Sequence, residues 1–358
     1  MRSPSPGRPG PLPRRALLIT AGGVLLAGAG CSGRPGTPAP GTPPPSSSSS
    51  SSSSSAPATS AIATATATAT ATGTPPPTPS AGPPATTAWT PGPGEVEPDV
   101  KLRAVQLVEA LGAWPAGEGG ADAARARVSA LGLDPALVDQ AGTLRPTAEA
   151  AALQVVDAQY GGILTDSASV LVVCDQWTEA ADGTVTAGGT TVDVRLSSAQ
   201  PRWSVTALHP AQPGDPAGDP GAAARQVLTE PRIQLPPASV ADVRSGAIHT
   251  TVLEAMLTLS RTYRMYVSVV RSGHPIYVFG TDRPSDHPPG RAFDVWQIDG
   301  HAVVDPGTPH DLVDGFMRAA AAAGSYNVGG PRQLSGGTSG QFFSDDTHQD
   351  HVHIGFRT

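Results

Sequence analysis

The sequence predicts an α+β protein whose folded part starts only after residue 97. Three observations carry that expectation. Residues 32–97 are almost entirely Ser, Pro, Thr, Ala and Gly, which leaves little apolar surface to bury. Beyond them, stretches with helical spacing are followed by stretches with strand spacing, and this happens twice, on either side of a Gly/Pro-rich break after residue 212. The chain has nine histidines, and His287, His348, His351 and His353 lie in its C-terminal part, the last three within six residues.

At the N-terminus, Arg14 and Arg15 precede the apolar run "ALLITAGGVLLAGAG", which is too short to span a bilayer, and Cys31 follows at once. This resembles a bacterial lipoprotein signal. Ala29 and Gly30 fit the residues before the lipidated cysteine, whereas Gly28 stands where Leu is usual. The arginine pair also resembles a twin-arginine export signal. The resemblance implies that residues 1–31 are a signal ending in a lipidated Cys31, which holds the protein on the outer face of the cytoplasmic membrane, in the cell wall. Without lipidation the chain would be secreted.

Residues 32–97, with Ser46 to Ser55 unbroken and Ala/Thr alternating from Ala63 to Thr72, read as a disordered tether spanning roughly 45 Å as a flexible coil. A net charge of -7 without clustered Lys or Arg excludes a nucleic-acid partner. A monomer is expected. Cys174 is the only cysteine besides Cys31, so the exported domains have no internal disulfide, and its place in "SVLVVC" reads as a small buried apolar residue.

Residues 98–212 form the first folded region. "VKLRAVQLVEALGAW", "AARARVSALG" and "AEAAALQVVDAQYGG" have helical periodicity, each stopped near Gly, and predict three helices. "SVLVVCDQWTEA", "TTVDVRLSSA" and "PRWSVTALHPA" alternate around "DG" and "GG" turns and predict an antiparallel meander, with Trp177 and Trp203 on a common core. Helices followed by long strands resemble the nuclear transport factor 2-like cone over roughly residues 98–210. After the linker "QPGDPAGDPGAAA", residues 222–358 begin with the amphipathic helix "HTTVLEAMLTLSRTY". A hairpin, "MYVSVVRSGHPIYVFG", follows, turning at "SGHP". His310 opens a later helix, "HDLVDGFMRAAAAAG".

The chemistry gathers in "SDHPPGRAFD" and "HQDHVH". Asp294 projects from a strand that begins at Ala292, and the Pro/Gly-rich loop before it can fold His287 back over the carboxylate. On a strand, His351 and His353 share a face. Two imidazoles and a carboxylate leave one tetrahedral position open, as a catalytic zinc requires. His209, His249, His274, His301 and His310 read as surface histidines, and His348 as a residue of the loop that feeds the site.

"SDHPPGRAFD" is similar to the S-x-H-x-x-G-x-A-x-D motif of zinc D-alanyl-D-alanine carboxypeptidases and dipeptidases, which share a core with lysostaphin and hedgehog. Ser285, His287, Gly290, Ala292 and Asp294 fall on the pattern, and the distal H-x-H completes it. The resemblance covers about residues 222–356. It implies a small antiparallel sheet with flanking helices, Zn2+ held by His287, Asp294 and His353, and a peptidoglycan stem peptide as substrate. The general base is either His351, which geometry favours, or Asp350, which could instead orient His351. Arg283 and Arg271 are candidates for holding an oxyanion or a substrate carboxylate, with Ser285 at the substrate side. The competing expectation is a non-catalytic zinc-containing binding lipoprotein.

Overall fold

The computed structural model describes residues 82–358; the expected export signal with Cys31 and residues 32–81 of the expected tether lie outside the described residues. Helix α1 (Pro98–Gly112) starts on a proline at its first position. It buries Ala104, Val105, Val108 and Leu111 at helical spacing against a four-stranded antiparallel meander. The meander consists of β1 (Ala150–Ile163), β2 (Ser167–Glu179), β3 (Val185–Ser197) and β4 (Ser204–Pro210), in sequence order. Helix α2 (Ala121–Ala130) and two short 3₁₀ turns lie between α1 and β1.

The third predicted helix is strand β1. Its pairing with β2 shifts register between Val155 and Asp157, so the buried residues fall at Leu153, Val155, Ala158 and Tyr160. One bulge turns a period of two into an uneven spacing that imitates a helix. Strand β2 is apolar without alternation because both its faces are covered. Val170, Val172 and Cys174 face the α1 core, while Leu171 and Val173 meet Val269 of the second sheet. Cys174 is fully buried, as the sequence implies. Trp203 packs against the α1 core, but Trp177 sits in the odd register of β2 on the opposite side, so the two do not share a core.

The end of the predicted tether is ordered and packed. Thr87 exchanges two hydrogen bonds with the Gln154 side chain, and Trp89 packs against the α1 core. Glu95 pairs with Lys101. Trp89 and Glu95 are among the apolar and charged residues that interrupt the low-complexity composition.

The second sheet has the order β10-β9-β11-β7-β6-β5, with β8 on β7. Its strands are β5 (Ile233–Gln234), β6 (Met265–Val269), β7 (Ala292–Ile298), β8 (His301–Ala302), β9 (Asn327–Gly329), β10 (Phe342–Phe343) and β11 (Val352–Gly355). The β5–β6 and β9–β10 pairs are parallel, so the sheet is mixed rather than purely antiparallel. Helices α3 (Ala222–Thr229), α4 (Pro237–Arg244), α5 (Thr250–Ser260) and α6 (His310–Ala322) accompany it. Val252, Met256 and Leu259 of α5 and Phe316 and Met317 of α6 fill its core with Phe293, Val295, Val352 and Ile354.

The predicted hairpin forms only its first strand. After β6 the chain turns at Gly273 and runs as a loop closed by a single bridge between Tyr277 and Pro284, while β7 takes the partner position along β6. Both sheets belong to one compact unit.

Candidate metal centre

Strands β7 and β11 are antiparallel neighbours whose register sets Asp294 opposite His353. Phe293, Val295, Val352 and Ile354 turn into the helix-covered core, so Asp294 and His353 both turn to the other face, where cross-strand side chains meet. His287 reaches them from the loop before β7. That loop needs glycine at 290, where φ is 75° and a Cβ would stand 2.1 Å from the Ala247 carbonyl oxygen.

Three donor atoms converge. His287 Nε2 lies 3.1 Å from Asp294 Oδ1, His353 Nδ1 lies 3.0 Å from the same oxygen, and the two nitrogens are 3.1 Å apart. His287 Nδ1 faces the Val270 carbonyl at 3.0 Å; a carbonyl only accepts, so Nδ1 donates and Nε2 keeps its lone pair. That lone pair points at a carboxylate oxygen inside a buried site, which is the donor pattern of a cation site.

His274, His287 and Asp294 also form a group whose ligand atoms lie within 4.8 Å of one another and could hold a metal ion. The ring geometry separates His274 from His353. The His274 ring stacks on His287 at 4.0 Å with 14° between planes. Imidazole lone pairs lie in the ring plane, so stacked rings aim them side by side. His353 is tilted 54° to His287, and the lone pairs can meet. His274 therefore backs His287, with Nδ1 on the Pro275 carbonyl at 3.0 Å and 3.3 Å from Ser285 Oγ. It is half-buried beside the site, not on open surface, whereas His209, His249, His301 and His310 are exposed.

His351 stands next to the triangle. Its Nδ1 donates to Asp350 Oδ1 at 2.6 Å, so in the neutral ring Nε2 is the acceptor, 3.9 Å from Asp294 Oδ2 and facing the cavity. Asp350 lies behind it, away from the cavity. The other Asp350 oxygen takes Lys101 Nζ at 2.6 Å and the Tyr160 N–H at 2.9 Å. Burial pushes the Asp350 carboxyl up, but the Lys101 ammonium and the hydrogen bond to His351 outweigh it and hold the group at about 2. Burial lowers His351, and the Asp294 charge with the Asp350 bond raises it above the usual histidine value. For Asp294, burial acts upward and the neighbouring His287 and His351 outweigh it, well below the carboxylate range. Burial lowers His353 to about 4.

A cavity of about 390 Å³ opens on His351 and His353. Its walls come from both sheets: Tyr160 to Leu164 at the end of β1, the 274–285 loop, and the Phe343–His348 segment. Gly161 and Gly162 let the loop cross β1 closely, since a Cβ at 162 would lie 2.1 Å from Phe279. Ser285 and an exposed Arg283 line the cavity. So does His348, whose Nδ1 donates to Asp345 at 2.6 Å. Arg271 does not line it; its guanidinium contacts the Pro213 and Pro288 carbonyls and lies 3.5 Å from Asp242.

Lys101, Gln159 and Tyr160 were not legible as site residues. Lys101 occupies a position on the Ala104, Val105, Val108 stripe of α1, and a lysine on an apolar stripe was the available signal. Comparison with family models, with curated proteins and with solved structures returns no match.

Proposed function

We propose that the chain is a zinc-dependent peptidase acting on D-alanine-containing bonds of peptidoglycan stem peptides. The observation that carries the reading is the buried His287–Asp294–His353 triangle beside an imidazole whose free nitrogen faces a cavity. Donors about 2.0–2.1 Å from a tetrahedral zinc stand roughly 3.3 Å apart, and the triangle's edges of 3.0 to 3.1 Å are close to that. The donor set also serves iron; the Asp350–His351 pair favours a hydrolytic metal, because it supplies a base.

Bound zinc would polarise the scissile carbonyl and make a water acidic. His351 takes the proton at Nε2, and Asp350 steadies the imidazolium through Nδ1–H. Arg283, exposed at the cavity wall, is placed to pair with a substrate carboxylate or an oxyanion. Ser285 supports His287 by accepting its backbone N–H at 3.3 Å. The reading takes residues 222–358 as a hedgehog-type peptidase core, residues 98–212 as a nuclear transport factor 2-like region packed on it, and Cys31 as the lipid anchor that keeps both at the wall.

The test uses the whole exported chain, loaded with zinc and incubated with stem peptides ending in D-alanyl-D-alanine, with products read by mass. Loss of a D-alanine or cleavage of a cross-link, abolished in His353→Ala and reduced at least about 100-fold in His351→Ala, supports the reading. Bound zinc without cleavage of any stem peptide would replace it with the binding-lipoprotein reading.

A further inference from the structure

Gln159 is fully buried on β1, in the N-terminal sheet, yet its side chain ends at the ligand strand of the other sheet. Nε2 lies 2.7 Å from Asp294 Oδ2. A carboxylate only accepts, so the amide nitrogen is the group that faces it and the amide oxygen faces the other way. There it accepts from the Ser268 hydroxyl on β6. Both ends of the amide are thus fixed, one by β6 and one by the carboxylate on β7. The consequence falls on Asp294: Oδ2 is held by Gln159, and Oδ1 alone is turned to His287 and His353. The next residue repeats the arrangement one position on, with the Tyr160 N–H on Asp350 and, through it, on His351.

We propose that Gln159 is a positioning residue of the metal centre, supplied by the N-terminal sheet, which holds the Asp294 carboxylate in its ligating orientation. The region before residue 212 is then part of the centre and not a spacer carried beside it. The inference rests on the metal-binding half of the reading above, and needs neither the substrate nor the reaction.

Zinc affinity of the full exported chain, measured by competition with a chromogenic chelator, tests it. Partners that orient a ligand typically contribute 10–100-fold to metal affinity, so Gln159→Leu is expected to weaken zinc binding by roughly that factor. Gln176→Leu is the control. Gln176 is also a buried glutamine of this sheet, but it donates to the Gly112 and Leu144 carbonyls, far from the centre. It should lower the melting temperature of the metal-free protein and leave zinc affinity unchanged. Ser268→Ala frees the far end of the amide; it should weaken zinc binding by less, and add little in the double variant because the two act as one unit. Equal affinity in folded Gln159→Leu and wild type overturns the proposal. If Gln159→Leu does not fold, unchanged affinity in Ser268→Ala overturns it. A wild-type chain that takes up no zinc removes the metal centre itself, a failure distinct from that of Gln159.

Discussion

Asp350 is held on both oxygens, with one on His351 and the other on Lys101 and the Tyr160 N–H. Its folded value of about 2 lies below that of a free aspartate. Between roughly pH 4 and pH 2 the unfolded chain therefore takes up a proton that the folded chain refuses, and stability falls as pH drops through that window by about 2 kcal/mol. Urea unfolding of the metal-free protein at pH 7 and pH 2.5 checks the sign. Asp350→Asn should be less stable at pH 7 yet lose less on acidification; an unchanged acid slope would show that the Lys101 pairing does not set this carboxyl. At this scale the convergence of His287, Asp294 and His353 could be anticipated because loop, strand parity and motif spacing all act over a few residues. Gln159 was not, because the bulge at Val155–Asp157 disguised its strand and its partner lies in the other sheet.

Helix α1 shows what one element contributes. Its apolar stripe packs on the meander, and within that stripe Lys101 is fully buried between Glu95 and Asp350. Burial disfavours the ammonium, but Asp350, Glu95 and Asp157 outweigh it and raise its pKa. Lys101→Met leaves those carboxylates without a counter-charge, and removing one partner of a buried pair costs about 3–5 kcal/mol. Denaturant midpoints should show a loss of that size, and Lys101→Arg a smaller one; a loss under about 1 kcal/mol would mean the network relaxes freely. Most helices were legible from periodicity. Strand β1 and the missing second hairpin strand were not, since a bulge and competition from β7 for the edge of β6 are decided by tertiary pairing.

In the whole molecule the two sheets share an apolar contact, Leu171 and Val173 against Val269, and share the site's polar network. Residues 222–358 made alone would expose Val269 and lose Gln159, Lys101 and Tyr160 together. Such a fragment is expected to bind zinc at least about 10-fold more weakly than the full chain; equal affinity would make the N-terminal region a separate domain. Composition marks a Gly/Pro-rich break after residue 212 and each side of it has its own sheet, but the polar contacts that join the two sheets were not legible, because nothing local in either half encodes a contact across 135 residues. The most direct test of the centre is the metal content of the purified chain, residues 1–358, after zinc loading and dialysis, beside His353→Ala. The account predicts one zinc per wild-type chain and substantially less than one in the variant. Equal zinc in both, or none in the wild type, would contradict it.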